Sequence, residues 1–167
     1  RMATYERETF VAAPFEDVWE FHSTVAGLDA LTPGWMRLRV ESVTGPDGES
    51  LPEGATLDAG SEIRMSVRPF GVGPRQSWTA VVEERREGEG VAFFRDIARD
   101  GPFERWAHSH VFHAEDGGTR IRDRVEYAFP TPAGPLAAAL SGPGFDAFFR
   151  YRHWKTRSLL ESADLTW

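Results

Sequence analysis

His108 and His110 are the residues whose type and spacing are best suited to chemistry in this chain. Side chains two residues apart in a β-strand project from the same face, so both imidazoles would lie on one side of a sheet. Trp106 and Phe112 share that parity and would place an aromatic ring on each side of the histidine pair. The next alternating segment brings Asp123 to the same level if the two segments form a hairpin. The sequence therefore predicts a His–Asp cluster set into an apolar wall.

Such a cluster has three possible roles, which the sequence leaves open. It could be a buried network in which every polar group is satisfied and which fixes the strand register. It could orient the polar end of a ligand. It could also perform acid–base catalysis, in which His108 or His110 moves a proton and Asp123 orients the imidazole. The candidate catalytic residues are therefore His108, His110 and Asp123.

Arg152 would bring a positive charge to the same region, because it follows the apolar stripe of the last predicted helix. A buried arginine needs a carboxylate or an anionic ligand group as its partner. Asp123, Asp96 or a ligand carboxylate would serve, and a structural salt bridge is an equally good interpretation. The predicted ligand-binding residues are Trp78, Phe94, Asp96, Trp106, His108, His110, Asp123, Tyr127, Phe149 and Arg152.

Metal coordination is a less favoured use of the histidines. The chain contains no cysteine, which excludes thiolate zinc sites, disulfides and a cysteine nucleophile. His113 is out of phase with His108 and His110 and should point to the opposite face. The sequence also lacks a glycine-rich phosphate loop and a Gly-x-Ser-x-Gly elbow. We predict no bound metal and no cofactor.

The elements that must position these residues begin with a strand over residues 4–12. Pro14 and the acidic residues that follow it favour a helix start, and apolar residues then recur at helical spacing. Gly27 is predicted to end this helix. Residues 28–31 would add one short turn before residues 32–34 break it.

Residues 35–130 alternate between apolar and polar side chains with a period of two. The first alternating segment includes Met36, Leu38 and Val40, and the second runs over residues 57–67. Turns rich in glycine, proline and aspartate divide the region into about six strands. Because these turns are short, the strands should pair as hairpins in one antiparallel sheet.

Two helices are predicted after the sheet. Residues 136–140 would form a short helix, residues 141–144 would break it, and a longer helix would cover residues 145–163. The predicted inner face of the long helix consists of Phe145, Phe148, Phe149, Arg152, Thr156, Leu159 and Leu160, and the outer face of Arg150, Lys155, Arg157 and Glu161. We therefore predict an α+β fold in which a curved antiparallel sheet wraps around a long C-terminal helix, with a cavity between them.

Composition limits the number of domains and the partners. A chain of 167 residues with 41% hydrophobic residues fits one domain, which we assign to residues 2–167. The net charge of −7 makes nucleic acid a poor partner. Residues 128–145, the longest uncharged stretch, contain four prolines, so we predict no membrane insertion. Residues 4–8 are polar and charged, which does not fit a signal peptide and predicts a cytoplasmic location. A homodimer is possible.

Several short motifs occur in an order that resembles a known superfamily. They lie at residues 10–19 (FVAAPFEDVW), 31–33 (LTP), 101–103 (GPF), 106–112 (WAHSHVF), 118–119 (GT), 123–127 (DRVEY) and 149–153 (FRYRH). The set resembles the SRPBCC superfamily, which includes lipid-transfer START domains, the birch-pollen allergen family and aromatic polyketide cyclases. Within it, the chain is most similar to stand-alone cyclase/dehydrase or ligand-binding proteins. The resemblance implies a helix-grip fold, which hosts many activities.

Three functions are compatible with these observations. The preferred one is binding of a small hydrophobic or aromatic ligand between the sheet and the last helix. The resemblance to the cyclases implies a second, a cofactor-independent cyclase or dehydratase that uses a His–Asp pair. The third is a non-catalytic interaction or assembly subunit whose small cavity is filled by aromatic side chains.

Overall fold

The computed structural model describes residues 2–140 and 143–161. The strands are β1 (Ala3–Val11), β2 (Arg39–Thr44), β3 (Glu62–Val67), β4 (Gln76–Gly88), β5 (Val91–Arg99), β6 (Arg105–Glu115) and β7 (Gly118–Ala128). The α-helices are α1 (Phe15–His22), α2 (Val25–Leu31), α3 (Pro135–Leu140) and α4 (Pro143–Leu160). Short 3₁₀ helices occur at Gly34–Met36 and Pro69–Gly71.

The seven strands form one sheet in the order β1-β7-β6-β5-β4-β3-β2. Every neighbouring pair is antiparallel, and β2 to β7 follow one another along the chain. The prediction of about six hairpin-connected strands over residues 35–130 is therefore confirmed. β1 joins β7 at the edge, so the N-terminal strand lies beside the strand that carries Asp123.

The alternating sequence of β7 explains why the sheet has a buried and an exposed face. Ile121, Asp123 and Val125 are buried, whereas Arg122 and Arg124 are exposed. Successive side chains of a strand point to opposite faces, so the three inner residues share the face that the helices cover.

Helix α4 packs its aromatic residues against this inner face. Phe145 and Phe149 are 2% and 0% exposed and belong to one apolar cluster with Val125 of β7. The curved sheet and its covering helix confirm the predicted α+β architecture. Among the helices of the described residues, none combines the length and the apolar character needed to cross a membrane.

The inner face of α4 differs from its prediction at two positions. Leu159 is 40% exposed, so its assignment to the inner face is wrong. It lies at the edge of the apolar stripe, because the centre of that stripe continues from Phe149 to Thr156. His153, which the apolar pattern did not select, is buried there instead. The predicted end of the helix at residue 163 lies outside the described residues.

The prediction that Gly27 ends the first helix is wrong, because Gly27 lies inside α2. The break occurs earlier, because the Ser23 hydroxyl bonds to the Trp19 carbonyl and Thr24 caps the start of α2. A Cβ atom at Gly27 would lie 1.9 Å from the carbonyl oxygen of Phe21. Glycine is therefore needed where α2 passes the end of α1.

Other predicted boundaries were also wrong. Met36 belongs to a 3₁₀ helix, and Arg37 adopts a left-handed conformation with φ of 54°, so β2 begins only at Arg39. In the second segment, β3 begins at Glu62 rather than at residue 57. Pro143 starts α4 instead of breaking a helix, while residues 141 and 142 lie outside the described residues.

Candidate functional site

A cavity of about 140 Å³ lies between the sheet and the helices that cover it. Strands β3 to β6 form one wall, and α2, α3 and α4 contribute the other. Most of the lining is aliphatic or aromatic, including Leu31, Met65, Val67, Ala80, Trp78, Phe103 and Trp106. The polar lining residues are His22, Thr24, Thr32, Asp96, His108, His110 and Arg152. The cavity is therefore apolar with a concentrated polar end.

Two histidines and two aspartates form hydrogen bonds that run diagonally across β5, β6 and β7. In the strand ladders, Asp96 lies opposite His108, and Asp123 lies opposite His110. Asp96 nevertheless accepts a bond from His110 Nε2 at 2.9 Å, and Asp123 accepts one from His108 Nε2 at 2.8 Å. His110 Nδ1 also lies 3.4 Å from Asp123 Oδ1. The predicted placement of both histidines and Asp123 at one level of one face is confirmed.

His153 joins these residues from α4. Its Nε2 donates to Asp123 Oδ2 at 2.5 Å, while its buried Nδ1 has no hydrogen-bond partner in the described part of the chain. The sequence signal that could have found it is its position four residues after Phe149 and three before Thr156, on the same helical face. We call Asp96, His108, His110, Asp123 and His153 the His–Asp cluster.

The two carboxylates of the His–Asp cluster stay ionised. Burial acts to raise the pKa of Asp123, but the hydrogen bonds from His108 and His153 outweigh it and hold the pKa well below its usual value. Burial likewise opposes ionisation of Asp96, and the bond from His110 brings its net pKa below the usual value. Both carboxylates are therefore hydrogen-bond acceptors at neutral pH.

Two histidines that line the cavity are neutral at the same pH. Burial lowers the pKa of His110 to about 4, and the neighbouring His108 adds to the shift. Burial lowers the pKa of His22 to about 3. The Nδ1–H of His22 donates to the Val18 carbonyl at 2.8 Å, which leaves Nε2 as an acceptor. His22 was not among the predicted site residues, although it follows Val18 by four residues and therefore shares its helical face.

Arg152 is 7% exposed and lines the cavity from α4. Its guanidinium lies 5.9 Å and 6.0 Å from the ring centres of Phe148 and Phe149. Among residues 2–140 and 143–161, no carboxylate lies within ion-pair distance of it and no acceptor receives a hydrogen bond from its side chain. The prediction of an inner-face arginine is confirmed, while the proposed ion pairs with Asp96 and Asp123 are not formed.

The predicted ligand-binding residues divide into two groups. Those that line the cavity are Trp78, Phe94, Asp96, Trp106, His108, His110 and Arg152. The other three, Asp123, Tyr127 and Phe149, lie behind this wall. Asp123 is covered by the histidines that it binds, and the rings of Tyr127 and Phe149 pack on Phe145 at 4.6 and 5.6 Å. These three contribute to the support of the wall rather than to its surface.

Within residues 2–140 and 143–161, Asp96, His108 and His110 form a group that could hold a metal ion, since each offers a ligand atom within 4.8 Å of the others. Their present arrangement does not suit coordination. The two imidazoles stack with ring centres 3.6 Å apart and planes at 28°, so their in-plane lone pairs run side by side instead of converging. His113 is exposed on the opposite face, as predicted. A metal would require both rings to turn, and a metal-free site stays a prediction.

Comparison with solved structures places the fold among known ones. The crystal structure of Ara h 8.0201 has a TM-score of 0.60 at 15% identity and covers 97% of this chain and 99% of its own. Norcoclaurine synthase from Thalictrum flavum, in complex with dopamine and hydroxybenzaldehyde, has a TM-score of 0.60 at 16% identity, covering 96% and 88%. Protein CV1439 from Chromobacterium violaceum has a TM-score of 0.62 at 15% identity, covering 95% and 96%. These likenesses support the helix-grip fold.

Sequence comparison gives the family. A search of curated proteins finds no match. The family model described as polyketide cyclase/dehydrase and lipid transport, however, matches residues 11–154. This match covers most of the chain, from the end of β1 to the part of α4 that carries Arg152 and His153. The chain therefore belongs to the polyketide cyclase/dehydrase and lipid transport family of the SRPBCC superfamily.

Proposed function

We propose that this protein binds a small hydrophobic or aromatic molecule in the cavity between the sheet and α4. The observation that carries the proposal is the cavity itself, which has about 140 Å³ of space and a mostly apolar lining. An apolar cavity of about 150 Å³ is large enough to bind benzene. A ligand with one aromatic ring fits this volume, whereas a folded polyketide of several rings requires a larger site.

The apolar walls of the cavity would supply most of the binding affinity, and its polar end would orient the ligand. Trp78, Phe103 and Trp106 offer broad apolar surfaces, and each Å² of apolar surface removed from water contributes about 25 cal/mol. Arg152 lies in the same lining and offers N–H groups to one end of the ligand, whereas both ring nitrogens of His110 already face Asp96 and Asp123. Pockets for small molecules commonly combine a mostly apolar lining with a few polar groups that fix the orientation of the ligand.

Reduction of the cavity volume tests this proposal. We expect toluene to raise the melting temperature of the wild-type protein, because a ligand that binds only the folded state stabilises it. Ala80→Leu adds carbon atoms to the cavity wall and should abolish the shift. Ala147→Leu makes the same change on the exposed face of α4 and should retain it. If no ring compound protects the wild type, the proposal fails and an assembly subunit becomes the better hypothesis.

A cofactor-independent cyclase or dehydratase is the second candidate. In its favour, the ring nitrogens of His110 face Asp96 and Asp123, and the lowered pKa keeps this imidazole neutral and able to accept a proton. A β-hydroxy ketone with one aromatic ring is a suitable test substrate, because loss of water gives a conjugated product that absorbs light. Turnover that disappears in His110→Asn while toluene binding persists would support catalysis.

A further inference from the structure

We infer that the ligand carries an acid group whose anionic oxygens bind Arg152, so that the preferred ligand is a small aromatic or branched aliphatic carboxylate. This inference rests on the proposed ligand-binding function and names the class of ligand. Arg152 is buried, lines the cavity and has no anionic partner within the described residues. An arginine remains protonated in proteins, so its positive charge persists inside the cavity wall.

Among the described residues, none accepts a hydrogen bond from the Arg152 guanidinium, which points to a ligand group as its partner. A guanidinium has five N–H donors, and burial without acceptors costs free energy. The aromatic rings of Phe148 and Phe149 face the charge from about 6 Å, which gives a weak cation–π contact and no hydrogen bond. Burial lowers the pKa of Arg152, while the more distant Asp123 and Asp96 oppose that effect. A carboxylate would satisfy two of the N–H groups in a bidentate pair.

The neighbouring carboxylates do not fill this role. Asp123 accepts from His108 and His153 and does not line the cavity. Asp96 lines the cavity, but its Oδ2 accepts from His110. Neither aspartate lies within 4.0 Å of the guanidinium. Arg152 is therefore the point at which an incoming anion would meet an unpaired positive charge.

Apart from Asp96, whose carboxylate already accepts from His110, several remaining polar groups of the lining fit the uncharged part of an acid ligand. His22 and His110 are neutral at neutral pH, because burial lowers the pKa of both. Thr24 and Thr32 are uncharged. The rest of the lining is mostly apolar, so a molecule with one ionised end and an otherwise hydrocarbon body matches the distribution of charge. The cavity volume of about 140 Å³ limits that body to about the size of one ring.

A matched pair of ligands tests the inference on the unmodified protein. Phenylacetate and phenylacetamide have nearly the same shape, but only the first is ionised at pH 7. We expect calorimetry to give at least tenfold tighter binding of phenylacetate. Equal binding of the two compounds, or tighter binding of the amide, would overturn the acid-group inference.

Variants at Arg152 identify the residue responsible. Arg152→Met keeps much of the side-chain length and removes the charge, so the preference for phenylacetate should disappear while phenylacetamide still binds. Arg152→Lys keeps the charge and should retain part of the preference. A preference that survives unchanged in a folded Arg152→Met protein would contradict the assignment. If that variant does not fold, the ligand pair on the wild type still decides.

The outcomes separate this inference from the proposed function. Binding of toluene and phenylacetamide without a preference for phenylacetate would leave ligand binding intact and remove the acid site. Failure of toluene, phenylacetamide and phenylacetate to bind would overturn both. Binding of phenylacetate that Ala80→Leu does not weaken would place the anion outside the cavity and would also contradict the inference.

Discussion

Strand β7 carries carboxylate or guanidinium groups on both faces, and their polar contacts have similar lengths in different environments. On the outer face, Arg124 Nη1 lies 2.8 Å from Glu6 Oε1 of β1, and the two side chains are 49% and 52% exposed. On the inner face, Asp123 Oδ1 lies 2.8 Å from His108 Nε2, and these side chains are 5% and 7% exposed. The distances do not distinguish the two pairs, but the side chains of the outer pair are at least about seven times as exposed as those of the inner pair.

Burial decides how much each carboxylate contributes to stability. Water solvates Glu6 and Arg124 whether or not they pair, so an exposed pair contributes at most about 1 kcal/mol. Asp123 is buried away from water, and within the described residues its side-chain hydrogen bonds come from His108 and His153. Removal of one partner from such a buried group leaves the others unsatisfied and costs about 3–5 kcal/mol.

The largest expected effect comes from Asp123→Asn. The amide has nearly the same shape but no charge, and its NH₂ group would face an imidazole N–H where the carboxylate oxygen now accepts. We expect the free energy of unfolding to fall by about 3–5 kcal/mol. Urea denaturation at pH 7 measures this loss. A loss below about 1 kcal/mol would mean that the inner and outer pairs are equivalent.

Acidification should produce the next largest effect, again on the inner face. The pKa of His110 is lowered from 6.5 to about 4, so the unfolded chain binds a proton between these values and the folded protein does not. Stability therefore falls as the pH decreases through this window, by about 2 kcal/mol between pH 7 and pH 4.5 for this residue.

Urea denaturation at several pH values measures this dependence. His22, whose pKa burial lowers to about 3, contributes a similar dependence in the same window, so His110→Asn removes one of two titrating groups and should reduce the slope between pH 7 and pH 4.5 by about half. Asp96 and Asp123 do not obscure this result. Because their pKa values are lowered in the folded protein, the stability that they contribute is lost only at pH values below the usual carboxylate pKa, outside this window. An unchanged slope in the variant would show that His110 does not remain neutral in the folded protein.

The smallest effect is expected for Glu6→Gln. It makes the same carboxylate-to-amide change as Asp123→Asn, on the strand next to β7, but on the exposed face. We expect the free energy of unfolding to change by less than about 1 kcal/mol, and less still in high salt. A loss comparable to that of Asp123→Asn would refute burial as the cause of the difference between the two faces.

Much of the fold was predictable because each strand carries its own two-residue period. Six strands, their hairpin order and the shared face of His108, His110 and Asp123 all follow from that period. Element ends were less predictable. The break between α1 and α2 depends on side-chain hydroxyl bonds at Ser23 and Thr24, which compete with the helix and do not alter its apolar pattern.

The residue pattern specifies which face of its element each residue occupies, because strand and helix periods are local properties of the backbone. It thereby placed His108, His110 and Arg152 toward the interior. Tertiary packing sets which groups meet there: His153 reaches Asp123 from α4, the cavity has about 140 Å³, and Arg152 meets no carboxylate among the described residues. These contacts depend on the distance and angle at which α4 crosses the sheet, and residue spacing within one element does not encode either.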